Sequence, residues 1–281
     1  MNALEIRNLT KHYEGFSLGP VNLTLPSGCI MGFIGENGAG KSTTIKLILD
    51  LIKRDGGEVT ILGKTLGTES SELKEQIGVV MDEYSFPENL TGRDIDAVLK
   101  SCYHTWDSAR FNQYCRKFSL PEKKAVREYS RGMKMKLAIA VALSHGSRIL
   151  LLDEATSGLD PVVRDEILDV FLEFIQDERN SIFLSSHIIS DLEKICDYIT
   201  FIHQGKMLFS EEKDVLLAKY AVAKCTLSQY EALRPETVIG ARKNSFGVEA
   251  LVLRDKLPRD IVADPATIED IMLYFVKERQ I

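Results

Sequence analysis

The sequence predicts an α/β fold with a mostly parallel β-sheet. Apolar runs of strand length alternate with segments of helical spacing, as they do where helices connect parallel strands. One apolar run, residues 30–34, leads into a glycine-rich segment and a helical pattern, and another, residues 149–152, ends in two acidic residues. The carboxyl ends of parallel strands form the ligand crevice, so we expect these two segments to meet there.

The glycine-rich segment is the feature around which the chain is organised. It fits the pattern G-x-x-x-x-G-K-S/T, and it comprises Gly35, Glu36, Asn37, Gly38, Ala39, Gly40, Lys41 and Ser42, with Thr43 next. Glycines let the backbone curl with its N–H groups inward, and the following helix adds a partial positive charge. We interpret it as a phosphate-binding loop, in which Lys41 reaches the β- and γ-phosphates and the Ser42 hydroxyl binds Mg²⁺. A glycine-rich turn before a helix is the alternative, which the strand–loop–helix order disfavours.

Composition limits the classes of protein. The chain has 281 residues, enough for one large domain or one with a small companion at about 150 residues per domain. A net charge of −6 argues against nucleic acid as the main partner. The five cysteines form no C-x-x-C pair, which favours reduced cytosolic thiols. No signal peptide is evident, and no apolar run approaches the roughly 18 residues that span a bilayer, so a separate chain would supply any membrane-spanning part.

The first half of the chain predicts three regions in order. Residues 4–25 have the alternation of β-structure and are predicted to form an antiparallel N-terminal subdomain, followed by strands at 58–62 and 77–81. Residues 84–147 predict an all-helical insert. The first predicted helix begins at Thr91, and the second is capped by Asp107. The third predicted helix is the apolar stretch 137–143.

The second half returns to strands. Residues 149–152 and 181–184 predict strands, 191–196 a helix, and 199–202 with 207–209 a hairpin. The pattern loosens after about residue 211, and Thr267 is placed to cap a terminal helix. We therefore divide the chain into a nucleotide-binding domain, residues 1–214, and a small α+β extension, residues 215–281.

Three polar residues follow predicted strands at the carboxyl edge of the sheet. Asp153 is placed to hold Mg²⁺, and Glu154, with no metal to bind, is placed to orient or deprotonate an attacking water. His187 follows the strand that begins at residue 181, where it can hydrogen-bond the γ-phosphate. Acids that only cap a helix and a histidine with a purely structural role are the alternatives; the upstream phosphate loop favours the functional interpretation.

Two further motifs carry a family resemblance. Tyr129-Ser130-Arg131-Gly132-Met133-Lys134, before an apolar helix, resembles the signature motif of ATP-binding cassette (ABC) ATPases. The segment Ser157-Gly158-Leu159-Asp160 resembles their D-loop. Phosphate loop, signature, acidic strand, D-loop and histidine follow the family's order, and the resemblance covers about residues 3–215. It implies a P-loop NTPase core that hydrolyses ATP with Mg²⁺.

The resemblance also implies roles for individual residues. Tyr13 would stack on the adenine ring, Glu154 would be the catalytic carboxylate and His187 the switch histidine. Two cassettes would pair head to tail, with each nucleotide between one phosphate loop and the partner's signature. Ser130 and Gly132 would then contact the γ-phosphate across that interface, and Asp160 would link the two sites.

Three positions depart from the family pattern. Arg131 stands in place of the first glycine of the signature's Gly-Gly pair, and Met133 in place of its glutamine. Asp82 stands where the family has a glutamine that binds Mg²⁺ and reports to the membrane subunit. A carboxylate can bind Mg²⁺ but carries a charge and a shorter arm, so Asp82 is included as a metal ligand on the strength of its position.

Three kinds of cassette fit these motifs. The chain resembles the ATPase subunit of an ABC transporter, of the bacterial export type that handles antibiotics, peptides, lipids or sodium. The alternatives are a soluble cassette that acts on nucleic acid or ribosomes, and a degenerate scaffold. The transporter interpretation implies a membrane-spanning permease as partner, a second cassette with a homodimer favoured over a heterodimer, no nucleic acid, and a place on the inner face of the cell membrane. Its permease would dock in an apolar groove containing Tyr84, Phe86, Pro87, Leu90 and Trp106.

Overall fold

A computed structural model describes residues 1–65, 71–82, 86–245 and 247–276 of the chain. The described residues form three β-sheets with helices packed around them. A six-stranded sheet at the centre has the strand order β5-β6-β7-β3-β8-β9. Its strands are β3 (Ile30–Ile34), β5 (Ile77–Val80), β6 (Ile149–Asp153), β7 (Ser181–Ser186), β8 (Tyr198–His203) and β9 (Lys206–Glu212).

The central sheet is parallel except for its last strand. β5, β6, β7, β3 and β8 pair in parallel, and β9 returns antiparallel to β8 through the predicted hairpin. Every residue of β3, β6 and β7 is buried, which explains why these strands are continuous apolar runs and not alternating patterns. Four helices connect or follow these strands: α1 (Lys41–Ile48), α2 (Ser71–Lys74), α6 (Pro161–Phe174) and α7 (Ile189–Ile195).

The N-terminal segment forms the predicted antiparallel sheet. Its strand order is β2-β1-β4, and the strands are β1 (Asn2–Tyr13), β2 (Phe16–Pro26) and β4 (Gly56–Ile61). Leucines on β1 and β2 alternate with exposed residues and are fully buried, including Leu9, Leu18 and Leu25. This buried face packs against Phe33 and Phe183 of the central sheet, so the small sheet is fixed beside the loop that follows β3.

The helical insert is confirmed over the described residues 86–147. It contains α3 (Gly92–Cys102), α4 (Ser108–Lys117), a short 3₁₀ turn (Val126–Glu128) and α5 (Arg131–Ala142). Thr91 and Asp94 form a reciprocal capping box at α3, and Asp107 caps α4 as predicted. The third helix begins earlier than the predicted residue 137, because the Ser130 hydroxyl caps it. In the described part of the chain no helix is long and apolar enough to cross a membrane.

Most residues of the predicted docking groove lie half-buried on the helical insert. Phe86, Leu90 and Trp106 pack against the core, and the Trp106 indole donates to Asp96. Pro87 is exposed, and Tyr84 lies outside the described residues. These half-buried side chains contribute to the packing of the insert, and their role in docking stays a prediction. A second apolar feature, a cavity of about 380 Å³, lies at the end of α1 and beside β5, lined by Leu49, Asp50, Leu51, Lys74, Ile77, Val79 and Tyr103.

The C-terminal extension is a four-stranded antiparallel sheet with helices. The sheet has the order β11-β12-β10-β13, and its elements are α8 (Lys213–Lys219), β10 (Tyr220–Cys225), α9 (Leu227–Glu231), β11 (Val238–Asn244), β12 (Gly247–Leu253), β13 (Val262–Pro265) and α10 (Ile268–Val276). Helix α8 crosses residue 214, where the sequence places the domain boundary. Thr267 caps α10 through a capping box with Asp270.

The extension shares its core with the rest of the chain. Ile268 and Ile271 of α10 are fully buried in the same hydrophobic cluster as Leu192 of α7. Glu193 of α7 accepts a hydrogen bond of 3.0 Å from the backbone N–H of Ile268, and its own carbonyl accepts one of 2.8 Å from Lys213. The C-terminal extension therefore contacts α7, the helix that follows β7, directly.

A buried histidine joins the helical insert to the central sheet. The His145 ring lies 2.9 Å from the backbone carbonyl of Glu75 through its Nδ1 and stacks on Tyr103 at 4.3 Å between ring centroids. The Glu75 carboxylate accepts from the backbone N–H groups of His104 and Thr105. Burial lowers the pKa of His145 below its ordinary value of 6.5, because the charged imidazolium would lose its hydration.

We expect the fold to lose stability in mild acid through His145. Below the ordinary histidine value of 6.5, the unfolded chain binds a proton here that the folded chain does not. The stabilisation is thus complete above that pH and lost as the pH falls towards the lowered pKa. His145→Gln should lower the melting temperature at neutral pH but flatten its fall between about pH 7 and about pH 5. Differential scanning fluorimetry across that range measures both effects.

His104, which is exposed on the connection between α3 and α4, supplies the control. His104→Gln should leave the pH dependence of the melting temperature as in the wild type. If His145→Gln retains the full wild-type decline with falling pH, His145 is not the group responsible.

Candidate functional site

The candidate site lies at the carboxyl edge of the central sheet. The phosphate loop follows β3, Asp153 ends β6, and His187 follows β7, and these three strands are neighbours in the order β6-β7-β3. A cavity of about 290 Å³ opens there. Its lining consists of Phe16, Asn37, Gly38, Gly40, Lys41, Ser42, Thr43, Asp82 and Glu154.

The loop conformation depends on glycine at two positions. Gly38 has φ 82° and Gly40 has φ 110°, both in the left-handed region that side chains rarely adopt. A Cβ at Gly40 would also lie 2.7 Å from Leu18 and 3.2 Å from Phe16. Gly40 occupies the N-cap of α1 without a side-chain cap, so the first N–H groups of the helix are left for an anion. Exposed Glu36 and Asn37 and buried Gly35 and Ala39 complete the loop.

Lys41 is buried beside the loop and contacts three oxygen groups. Its Nζ donates to the backbone carbonyl of Gly35 at 2.7 Å and to that of Glu36 at 3.3 Å. It also pairs with Oε1 of Glu154 at 3.1 Å. The lysine side chain is only 5% exposed, so its charge is aimed at the cavity and is not dispersed in solvent.

Glu154 lies between the lysine and the histidine. Its backbone has φ 53°, an uncommon conformation for a residue with a side chain. Its Oε2 lies 2.7 Å from Nδ1 of His187, while its buried Oε1 has the Lys41 ion pair and no hydrogen bond in the described structure. The geometry brings three residues predicted from separate motifs into direct contact: Lys41, Glu154 and His187.

Asp153 is buried at the end of β6. The hydroxyl of Ser185 donates to Asp153 Oδ1 at 2.6 Å and accepts from the backbone N–H of Glu154 at 3.1 Å. One oxygen of the carboxylate is thereby held in a fixed position, although Asp153 is not among the residues that line the cavity. Ser185 was not among the predicted residues. Its place at the end of a buried strand, next to the residues that lead to His187, is the signal that could have identified it.

A buried polar cluster lies behind the site. Asp191 on α7 is 3.7 Å from Nε of Arg164 on α6, and the Thr156 hydroxyl also interacts with it. Burial raises the pKa of the Asp191 carboxyl, and the nearby Thr156 hydroxyl and the charge of Arg164 oppose this shift. Since α7 follows His187 and α6 follows the D-loop, the cluster fixes the helices that position both motifs. The sequence analysis did not identify these three residues.

The predicted signature and D-loop do not line the cavity. Ser130 is exposed at the N-cap of α5 and accepts from the backbone N–H of Met133 at 3.3 Å. Gly132 lies against α6, where an added Cβ would be 3.5 Å from Val163. Asp160 caps α6 by accepting from Val163 N–H at 3.0 Å. The two motifs form one surface, next to the site but separate from its phosphate loop.

The aromatic residue in the cavity is not the predicted one. Tyr13 is 46% exposed at the end of β1 and is not among the described residues that line the cavity. Phe16, which is opposite Tyr13 across the β1–β2 hairpin, does line it. The sequence pattern could not decide between two aromatic side chains on the same turn.

Known proteins resemble this chain over most of its length. The model of the ABC transporter family matches residues 18–157. The bacitracin transport ATP-binding protein BcrA of Bacillus licheniformis is 35% identical, over 73% of this chain and 68% of that protein. The lantibiotic transport ATP-binding protein SrtF of Streptococcus pyogenes is 33% identical, over 75% of this chain and 91% of that protein. A solved ATP-binding subunit of an ABC transporter is 27% identical with a TM-score of 0.67, over 75% of this chain and 90% of that one.

The chain therefore belongs to the ABC transporter family, and its fold is the P-loop NTPase fold that the sequence predicts. Within that family it is the ATP-binding subunit, an ATPase that powers transport. The soluble alternative that acts on nucleic acid or ribosomes is not favoured.

We expect Lys41→Ala to abolish nucleotide binding in a protein that still folds. The substitution removes the buried cation that faces the cavity and leaves the core strands untouched. Binding of a fluorescent ATP analogue, with circular dichroism to confirm folding, measures the effect. Lys53→Ala, on an exposed residue after α1, is the matched control and should bind normally. Normal ATP turnover by folded Lys41→Ala would contradict the assignment of the loop.

Proposed function

We propose that this cavity binds ATP with Mg²⁺ and that Lys41, Glu154 and His187 act directly on the γ-phosphate and the attacking water. The observation that carries the proposal is the contact of Glu154 with both Lys41 and His187 beside a glycine loop at a helix N-terminus. The loop residues 35–43 would hold the phosphates through backbone N–H groups and Lys41. Phe16 or Tyr13 would stack on the adenine.

The donors around the loop suit a Mg²⁺ ion. The hydroxyl of Ser42, the carboxylate of Asp153 and that of Asp82 offer the oxygen ligands that Mg²⁺ prefers, and Asp153 is held in place by Ser185. Bound Mg²⁺ would neutralise charge on the β- and γ-phosphates. Ser42 and Asp82 both line the cavity, which supports this set of ligands.

Hydrolysis would begin with an exchange of partners at Lys41. In the described structure Lys41 is paired with Glu154. When the phosphates of ATP take the lysine, Oε1 of Glu154 is free to accept a proton from water as that water attacks the γ-phosphorus. His187, now 2.7 Å from the other carboxylate oxygen, orients Glu154 and can donate to the γ-phosphate.

A second cassette would complete the site. Ser130, Arg131, Gly132 and Met133 are at the N-terminus of α5 on a surface that does not line the chain's own cavity. We infer that Ser130 and the backbone of Gly132 contact the γ-phosphate of ATP on a second copy, with Asp160 between the two sites. A homodimer is the simplest arrangement because one chain carries both surfaces.

The membrane partner would be a separate permease subunit. The apolar cavity of about 380 Å³ at the end of α1 is partly exposed and would receive apolar side chains of a short helix from such a subunit. Exposed Leu51 and Val79 give this groove an apolar rim. We infer that the chain is held through it at the cytoplasmic face of the membrane, and that it powers export, as the likeness to bacitracin and lantibiotic transport proteins suggests. Residues 1–214 would carry this activity, and residues 215–281 would form an appendage without catalytic residues.

Glu154→Gln should separate binding from chemistry. The amide keeps the shape of the side chain but cannot accept the proton of the attacking water, so turnover should fall by about 10²- to 10⁴-fold while ATP affinity survives. Loss of a negative charge next to the γ-phosphate should also stabilise the ATP-bound dimer. Phosphate release measures turnover, and size-exclusion chromatography with ATP and Mg²⁺ measures dimerisation.

A second glutamate near the site, Glu36, serves as the control for Glu154→Gln. Glu36→Gln, on an exposed carboxylate of the phosphate loop, should change turnover much less, because Glu36 contributes a backbone carbonyl to Lys41. A wild-type rate in Glu154→Gln would exclude Glu154 as the base. An inactive variant that stays monomeric would exclude the homodimer alone.

Leu51→Asp should weaken the attachment to the permease. Leu51 is 64% exposed in the groove at the end of α1, and a carboxylate there would oppose burial against an apolar helix. Co-purification with the membrane fraction should fall, while ATP binding by the isolated chain is retained. Val262→Asp, at 69% exposure on the C-terminal sheet, is the control. Undiminished membrane association of Leu51→Asp would place the docking surface elsewhere.

A further inference from the structure

Arg131 connects three motifs of the same chain. Its guanidinium Nη2 donates to Oδ1 of Asp82 at 3.1 Å. The same group lies against the D-loop, since a Cβ added at Gly158 would be 2.5 Å from Nη1 and 2.8 Å from Cζ. Gly158 has φ 67°, which favours glycine, and the guanidinium occupies the space beside it. A residue of the signature surface therefore contacts both the D-loop and a proposed metal ligand.

Within the pair of Arg131 and Asp82, Asp82 is the residue that lines the proposed nucleotide cavity. It lines the same cavity as Lys41, Ser42 and Glu154, whereas Arg131 does not. A carboxylate at this position adds negative charge to a cavity that already contains Glu154, and a bound polyphosphate would add more. The Arg131 cation offsets the charge of Asp82 while no metal ion is there to do so.

The pair is exposed enough to exchange partners easily. The side chains of Arg131 and Asp82 are 48% and 52% exposed. Exposed ion pairs contribute little to stability, so a divalent cation with phosphate oxygens around it can compete for the carboxylate. The freed guanidinium would remain at the N-terminus of α5 beside Ser130, with five N–H donors suited to phosphate.

We propose that Asp82 passes from Arg131 to Mg²⁺ when Mg²⁺ and ATP bind, and that the released Arg131 then binds the phosphates of the nucleotide on the second cassette. Arg131 is a positioning residue for Asp82 within its own chain and a phosphate ligand across the interface. The proposal rests on the ATP site and dimer proposed above. Under this proposal, Mg²⁺ must bind in one cassette before its Arg131 can bind the nucleotide on the second cassette.

The exchange predicts a specific change in the Mg²⁺ dependence of ATP hydrolysis. Arg131→Ala removes the competitor for Asp82, so half-saturation by Mg²⁺ should occur at a roughly two- to fivefold lower concentration, the range of an exposed pair. Asp82→Asn removes the ligand, so the concentration needed should rise. In the Asp82→Asn background, Arg131→Ala should produce no further shift, because the two residues act through one carboxylate.

The interface half of the proposal is measured separately. In the Glu154→Gln background with saturating ATP and Mg²⁺, adding Arg131→Ala should weaken dimerisation, and adding Arg131→Lys should weaken it less. Sedimentation at a series of protein concentrations gives the dimer dissociation constants. Arg93→Ala is the matched control, since Arg93 pairs with Glu122 at 2.8 Å on the helical insert with both side chains exposed.

Charge reversal distinguishes exchange from a merely structural pair. The double variant Asp82→Arg with Arg131→Asp restores an ion pair but leaves no carboxylate at position 82. A structural pair predicts recovery of the wild-type Mg²⁺ dependence, whereas exchange predicts no recovery. Recovery, or a Mg²⁺ half-saturation in Arg131→Ala that is unchanged or raised, overturns the exchange. Unweakened dimerisation in Arg131→Ala overturns the role across the interface.

These experiments distinguish failure of the Asp82 exchange from failure of the proposed ATP site. If Lys41→Ala keeps its turnover, the ATP site itself is misassigned. If Lys41→Ala and Glu154→Gln behave as expected while the effects of Asp82→Asn and Arg131→Ala on Mg²⁺ dependence simply add, only the exchange is wrong.

Discussion

The ion pair between Lys41 and Glu154 is the interaction on which the site depends. Both side chains are largely buried, and a buried charge without a partner is strongly destabilising. Lys41 begins α1 after the loop that follows β3, and Glu154 follows β6, so the pair forms only when β3 and β6 are correctly placed on either side of β7. In the proposed mechanism phosphate replaces the carboxylate at Lys41, which would link substrate binding to release of the proposed base.

Much of this arrangement could be predicted from sequence because its signals are local. A phosphate loop needs glycines and a lysine at fixed spacing, and an acid after a buried strand lies at the carboxyl edge by the geometry of a parallel sheet. The fold class and the positions of Gly38, Lys41, Asp153 and Glu154 followed from such rules. Capping residues such as Asp107 were predictable for the same reason.

The remaining features depend on packing between distant segments. The choice of Phe16 over Tyr13 for the cavity depends on which side of a hairpin faces the loop. Ser185 supports Asp153 only because β6 and β7 are in register, with these two residues opposite each other. The apolar residues 86–106 have the composition of a docking groove and of an interior alike, and only the structure shows that Phe86, Leu90 and Trp106 are half-buried against the core.

The shared core between α7 and α10 has a consequence for how the chain unfolds. Ile268 and Ile271 are buried in the cluster that contains Leu192, and Glu193 binds the backbone at the start of α10. Removal of the extension would expose this apolar surface and leave Glu193 without that donor, so we expect cassette and extension to unfold as one cooperative unit. A change that loosens α10 should then also loosen α7, the helix that follows His187, although the two helices lie far apart in the sequence.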